Sequence, residues 1–353
     1  MQQLPFMSPR GLASQQRSSF LCSSASNNNT NINRHRQDHL NENDTHIIRL
    51  VVISDTHNRH KAMTKLLPPP SPDASSSILI HCGDFADRGN RLHVRSFCRW
   101  LSRVPSSSSS EQNEGVENYE LPGLPRHYRH VIVVNGNHDV ARPPAPEIDL
   151  RAEFRKCNQV LQTRGIDRQV YFLDDQCVTL PNEGLTLCGT SWESSVRGNY
   201  ERAFATTKDD SCGGVRAPDV MISHLVPYFS VHHRKQIQAL HHDDAIDFRA
   251  WVGSRELLSA ATQRQVPLVL SGHVHWGRGA VFLPRQEEIN NLNNDGQDNP
   301  SYTGTWFVNA ASTKPGIGSV SGHSDQSREV TAPVVIDYDV RNRRVVHLSC
   351  PKH

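Results

Sequence analysis

Five apolar runs in this chain end in residues that bind cations, and this pattern constrains the fold more than any other feature. "RLVVISDTH" closes on Asp55 and His57, "SILIHCGD" on Asp84, and "HVIVVNGNHD" on Asn137 and His138. "DVMISH" closes on His224, and "VPLVLSGHVH" on His273 and His275. Short β-branched runs bounded by turn residues read as buried strands. In an open α/β sheet the carboxyl ends of the strands share an edge, where ligands bind. Left without a cation, carboxylates gathered there would repel and imidazoles would lack partners. Around metal ions the set is chemically coherent. Mixed Asp, His and Asn donors suit Mn²⁺, Fe or Zn²⁺, whereas Mg²⁺ and Ca²⁺ favour oxygen alone. The number of donors suits two divalent ions, with Asp84 able to bridge them. In an extended chain His273 and His275 would also share one face.

Three further runs, "LTLCGTSW", "TWFVNAAS" and "APVVIDYD", read as strands. "NRLHVRSFCRWLSRV" carries Val94, Phe97, Cys98, Leu101 and Val104 at helical spacing, and Leu257 and Leu258 mark a second helix before Val266. Strands alternating with helices predict an α/β domain with a partly parallel sheet. The hydrophobic fraction is only 36% and the mean hydropathy −0.57, as expected of a packed core diluted by polar insertions. These are the segments 68–77, 105–120 and 285–304, read as surface loops. The domain is expected over residues 46–348, behind a disordered low-complexity tail at 1–45. Arg10, Arg17, Arg34 and Arg36 in that tail leave an organellar presequence as the alternative reading.

A net charge of +2 carries no polybasic signature, so no nucleic-acid polymer is expected as a partner. No apolar run approaches the ~18 residues a membrane span needs, so a soluble chain without a membrane partner is expected. The eight cysteines show no CxxC spacing and no disulfide framework is expected, which suits the reducing cytoplasm. Cys82 and Cys188 read as small buried thiols in strands.

"SDTHN", "HCGDF", "NGNHD", "ISH" and "SGHVHWG", in this order, resemble the five blocks of the calcineurin-like metallophosphoesterases, over nearly all of residues 48–340. "VGSRELL" (252–258) and "VNAAS" (308–312) are similar to the small metallophosphoesterase-domain phosphodiesterases within that superfamily. The resemblance implies a four-layer sandwich of two mixed β-sheets flanked by helices, with the metal site at strand C-terminal ends. It implies Asp55, His57 and His275 as ligands of one ion, Asn137, His224 and His273 as ligands of the other, and Asp84 as the bridge. His138 would act at the scissile phosphate, as a proton or hydrogen-bond donor. The implied reaction is hydrolysis of a small phosphodiester, such as a cyclic nucleotide, by metal-activated hydroxide.

"GDFADRG" (83–89) departs toward the Ser/Thr phosphoprotein phosphatases, where Arg88 would clamp a phosphate oxygen and Asp87 would orient His138. The alternative is a surface arginine, with Asp87 capping a helix. Asp139 stands where those phosphatases place Glu, and "GHVH" lacks their flanking arginine. A phosphomonoesterase or protein phosphatase is therefore the second reading, and an inactive metal- or nucleotide-binding module the third. "SHLVP" (223–227) replaces the Thr-His-Gly-Pro-Pro of the small phosphodiesterases, which changes the loop's shape but keeps His224. "HHDD" (241–244) and "VHHRK" (231–235) read as solvated loops or helix faces, and His81 as a satisfied histidine near the site. Trp192, Trp276 and Asn309 either line the pocket or serve packing.

Overall fold

The computed structural model describes residues 46–104, 123–140, 148–204, 217–240, 251–285, 303–313 and 329–351. Among these are strands β1 (Ile47–Ile53), β2 (Ser76–His81), β3 (Tyr128–Val133), β4 (Gln169–Phe172), β5 (Gln176–Leu180) and β6 (Leu185–Gly189). Then come β7 (Val220–Ile222), β8 (Leu268–Ser271), β9 (Gly279–Pro284), β10 (Gly304–Asn309), β11 (Val334–Asp339) and β12 (Arg344–Ser349). The helices are α1 (His60–Met63), α2 (Arg91–Leu101), α3 (Leu150–Thr163), α4 (Trp192–Val196), α5 (Glu201–Phe204), α6 (Val231–Leu240) and α7 (Arg255–Gln263).

Two six-stranded mixed sheets result, in the orders β12-β11-β1-β2-β3-β4 and β5-β6-β7-β8-β10-β9. Strands β1 to β4 run parallel, as do β6, β7, β8 and β10, with antiparallel strands at the flanks. Strand alternation sorts the side chains. Leu50 and Val52 join Ile78, Ile80, Ile222, Leu268 and Leu270 in a core between the sheets. Val51 and Ile53 face the other way, onto Phe97 and Leu101 of α2 and Phe154 of α3. On the outer side of the second sheet, Met221, Val269 and Phe307 meet Leu257 and Ala261 of α7. Helix, sheet, sheet, helix is the four-layer arrangement expected.

The strands absent from the sequence reading, β4, β5, β9 and β12, are mostly flanking strands with half-exposed side chains. They lack the unbroken apolar run that betrays a central strand. Segment 68–77 ends sooner than expected. Ser76 already pairs with Ile48, because backbone pairing with β1 outweighs the polar side chain. "VHHRK" opens α6 on a largely exposed face. "HHDD", the tail at 1–45, segment 105–120 and nearly all of 285–304 lie outside the described residues.

One cysteine expectation is overturned. Cys177 and Cys188 face each other across β5 and β6 and form a disulfide. Adjacency across an antiparallel pair brings two Cβ atoms within bonding reach, and linear spacing gives no sign of it. Cys82, Cys98 and Cys157 are buried thiols. Among the described residues no helix is long and apolar enough to cross a membrane.

Candidate metal centre

The strand ends named above converge where the two sheets meet. The first three parallel strands deliver Asp55, His57, Asp84, Asn137 and His138, and β7 and β8 deliver His224, His273 and His275. A stitch between sheets closes the edge: Ser54 bridges to Ala311 beyond β10, and the Ser312 N–H donates to the Ser54 carbonyl at 2.9 Å. Asp55, His57, Asp84 and His273 all take positive φ, between 41° and 69°. Non-glycine residues rarely do so, and such strain persists where surrounding structure enforces it. It turns the chain sharply off each strand and aims the side chain back across the edge.

Two donor groups emerge. Asp55, His57 and His275 place ligand atoms within 4.8 Å of one another, and so do Asp84, His224 and His273. Each carboxylate commits one oxygen to the protein and turns the other inward. Asp55 Oδ2 accepts the His273 backbone N–H at 2.9 Å, while Oδ1 lies 3.4 Å from His275 Nε2. Asp84 Oδ1 accepts the His138 backbone N–H at 2.7 Å. Its Oδ2 lies 3.3 Å from His224 Nε2 and 4.0 Å from His57 Nε2, between the two groups. Asn137 Oδ1 is 3.2 Å from His224 Nε2.

Neighbouring backbone sets the histidine tautomers. His224 Nδ1 donates to the Cys82 carbonyl at 2.7 Å, and His275 Nδ1 to the Thr313 carbonyl at 2.8 Å. Both rings then present Nε2 to the centre, the orientation a metal-ligating imidazole needs. His273 is not on an extended strand, and His275 begins a 3₁₀ turn (His275–Gly277). The one-residue spacing therefore sends the two rings to different groups, where an extended chain would have sent both the same way.

Electrostatics suit a cation. Burial disfavours the His224 imidazolium, yet Asp84 and Asp55 outweigh it and push the pKa up to about 10, a measure of the negative potential there. Burial also opposes the Asp84 carboxylate, but His224 and His57 hold it below the usual range. Burial keeps His57 low and takes His273 down to about 4, so both rings offer lone pairs. Asp55 Oδ1 and both nitrogens of His57 are buried without a hydrogen-bond partner. Such atoms are costly unless a ligand completes them, and donors of this chemistry fit divalent metal.

His138 sits at the rim. Its Nδ1 is 3.2 Å from Asp87 Oδ1, and this bond raises the His138 pKa and lowers that of Asp87. His57, Asp87 and His138 form a third compact group, but the Asp87–His138 bond already uses one atom of each. The capping alternative for Asp87 fails, because Asn90 caps α2 through the Leu92 N–H. Arg88 is exposed and makes no hydrogen bond to the centre. His81 is satisfied by Thr56 and by the Gly83 N–H. Trp192 packs against His273 and His224, at 5.2 and 5.6 Å between ring centroids. Trp276 is 63% exposed. Asn309 is buried, donating to the Val274 carbonyl, and so braces the histidine turn rather than lining a pocket.

Sequence reasoning missed the supports. Asp139 accepts from the backbone N–H of Asp84 at 2.7 Å, Ala86 at 2.7 Å and Gly136 at 2.8 Å, joining two of the loops. Asn135 Oδ1 holds the Trp192 N–H at 2.9 Å. Thr313 braces His275. A carboxylate after "GNH" hinted at the first; nothing linear marks the others. In "SHLVP", Val226 is buried and its carbonyl accepts the Ser254 N–H at 2.9 Å, tying this loop to the start of α7.

Residues 48–277 match the profile of the calcineurin-like phosphoesterases. A UPF0046 protein of Caenorhabditis elegans is 26% identical over 248 residues, covering 66% of this chain and 71% of its own. Human metallophosphoesterase domain-containing protein 1 is 25% identical over 255 residues, 66% of this chain and 62% of the relative. The crystal structure of TT1561 of Thermus thermophilus aligns over 86% of this chain and 98% of its own, at 14% identity and a TM-score of 0.37.

Proposed function

Because the chain belongs to the calcineurin-like phosphoesterase family and is a metal-dependent hydrolase of phosphoric esters, we propose that it cleaves a small phosphodiester at a two-ion centre. The observation that carries this reading is the pair of donor groups, Asp55/His57/His275 and Asp84/His224/His273, with Asp84 Oδ2 between them. Mn²⁺, Fe or Zn²⁺ bound there would neutralise phosphate charge and lower the pKa of a bound water. Asn137 adds an amide oxygen without adding negative charge, which keeps the centre electrophilic. His138, bonded through Nδ1 to Asp87, holds its other ring nitrogen for the leaving oxygen. The Asp87 bond raises its pKa and so favours the imidazolium, and donating that proton to the departing alkoxide would contribute ~10²–10⁴-fold.

Arg88 bears on the choice between diester and monoester. A dianionic monoester is best gripped by an arginine fork, and the exposed Arg88 is the arginine whose replacement tests that role. A diester carries a single negative charge and needs no such clamp. A cyclic nucleotide belongs to this class, with the half-buried Trp192 beside the second donor group as a wall for its planar part. The test is Mn²⁺-dependent hydrolysis of bis-p-nitrophenyl phosphate against p-nitrophenyl phosphate. Faster diester turnover is expected. Faster monoester turnover would make the protein a phosphomonoesterase, and no turnover of either with metal bound would make it a binding module.

A further inference from the structure

Trp192 packs against His273 and His224, two rings of the second donor group, yet the element that carries it cannot hold itself. The helix α4 has five residues, and a helix that short does not persist in water alone. Its position must come from neighbours. Asn135, just beyond β3, takes the Trp192 N–H. Three more bonds at the start of α4 end on Asp175. Its Oδ1 accepts the N–H of Ser191, the residue that caps α4, at 3.0 Å and the Ser191 hydroxyl at 3.2 Å. Its Oδ2 accepts the Ser194 hydroxyl at 2.6 Å and lies 3.6 Å from Arg202 Nε. The Asp175 side chain is mostly buried. Its backbone has φ of 55°, a left-handed conformation that persists in a non-glycine residue where the surroundings enforce it.

The strands explain why Asp175 stands there. Residues 173–175 cross from β4 of the first sheet to β5 of the second. Strands β5 and β6 pair antiparallel, Gln176 with Gly189 and Cys177 with Cys188. Asp175 and Ser191 therefore lie together at the open end of this hairpin, and the Cys177–Cys188 disulfide fixes its register one pair further in. Contacts then run from Asp175 to Ser191 and Ser194, through the first turn of α4 to Trp192, and on to the rings of His273 and His224 at 5.2 and 5.6 Å between centroids. Among the described residues, Asp175 makes no hydrogen bond or ion pair of its own with either donor group. Its reach to the centre is through Trp192.

Building on the reading of Trp192 as a wall for the planar part of the substrate, we infer that Asp175 is a positioning residue. It seats α4 so that the wall is preformed beside the second donor group, and it sets the affinity for the ester rather than the rate of the chemical step. Without the carboxylate, α4 is displaced part of the time, and apparent affinity falls in proportion to the fraction still seated. Bound substrate draws Trp192 back into contact, so turnover of the complex is unchanged.

Asp175→Gly removes the carboxylate alone, because glycine takes a positive φ freely. Asp175→Asn is the conservative variant: its amide oxygen still accepts from Ser191, and its amide nitrogen donates to the Ser194 hydroxyl, which accepts as readily as it donates. Both are assayed on the metal-replete full chain with bis-p-nitrophenyl phosphate or p-nitrophenyl phosphate, whichever the parent turns over faster. If neither turns over, the calorimetric Kd of the diester stands in for KM. Asp175→Gly should raise KM about fivefold or more, the worth of one hydrogen bond, with kcat and metal content at the parent values. Asp175→Asn should restore most of the affinity. In a Trp192→Ala background Asp175→Gly should raise KM no further, since residues acting through one contact are not additive. An unchanged KM in Asp175→Gly would overturn the inference, as would a loss of kcat or metal in place of the KM effect. So would an Asp175→Asn as impaired as Asp175→Gly, or the same rise in KM without Trp192. A preference for the monoester would revise the proposed reaction and leave these outcomes readable.

Discussion

Replacing Asp139 with asparagine should loosen the metal centre without touching a ligand. Asp139 Oδ2 accepts the N–H groups of Asp84 and Gly136, and Oδ1 accepts that of Ala86. Burial and Asp84 raise the Asp139 pKa, against the N–H groups of Ala86 and Gly136; three donors converging on two oxygens favour the ionised form. In Asp139→Asn the amide oxygen can keep two of these bonds, while the amide nitrogen confronts the third donor. Losing one bond to a charged acceptor costs about 1.5–3 kcal/mol. The two that remain become neutral bonds, roughly half as strong, which adds about 1.5 kcal/mol. The sum, about 3–5 kcal/mol, corresponds to a drop in Tm on the order of 10 °C for a domain of this size. Measuring the Tm in EDTA separates this loop contribution from any loss of bound metal. Elemental analysis of metal-replete protein should then show depleted metal, because the backbone presenting Asp84 is no longer held. A variant within about 1 kcal/mol of the parent in EDTA and with full metal content would refute the reasoning.

Asp84→Asn should abolish activity and lower occupancy of both ions, whereas His138→Ala should cut turnover ~10²–10⁴-fold with metal content nearly unchanged. Equal metal loss in the two variants, by elemental analysis, would contradict that division of roles. In Gly272→Ala a Cβ would stand 1.9 Å from Ser54 Oγ and 2.5 Å from Asp55 Oδ2. Displacing Asp55 by about an ångström should cost ~10²-fold in turnover, and full activity would show that this approach is not constraining. Burial pushes the His60 pKa down to about 3, against ~6.5 in an unfolded chain. The unfolded state therefore binds an extra proton between those values. Stability is fully present above pH ~6.5 and falls toward pH 3, by up to ~1.4 kcal/mol per pH unit from this residue. His60→Gln should flatten the denaturation midpoint against pH in that window, and parallel curves for the two proteins would count against it.

Much of the centre was legible because its donors are locked to strand ends. A buried parallel strand is a run of β-branched residues, and the residue that leaves it is conspicuous when it is Asp or His. Thus Ile53 and Ile222 mark where β1 and β7 stop, and Asp55 and His224 follow within two residues. Asp87 was harder, since "GDFADRG" suits a capped helix as well as a dyad, and only the position of His138 separates the two. Cys177 and Cys188 were misread because cross-strand neighbours carry no fixed linear spacing.

The order of apolar and polar residues set which strands are buried on both faces, which helices cover them, and which chemical groups arrive at the strand ends, since these follow from local periodicity. Folding in three dimensions settled the rest. It packed the two sheets face to face with their strand ends together, so that Asp84 from one and His224 from the other stand 3.3 Å apart. It also supplied the backbone partners, Cys82, Thr313 and the N–H groups around Asp139, that orient rings and loops. Every backbone carries the same N–H and C=O groups, so which side chain each one serves is decided only by where the folded chain places it.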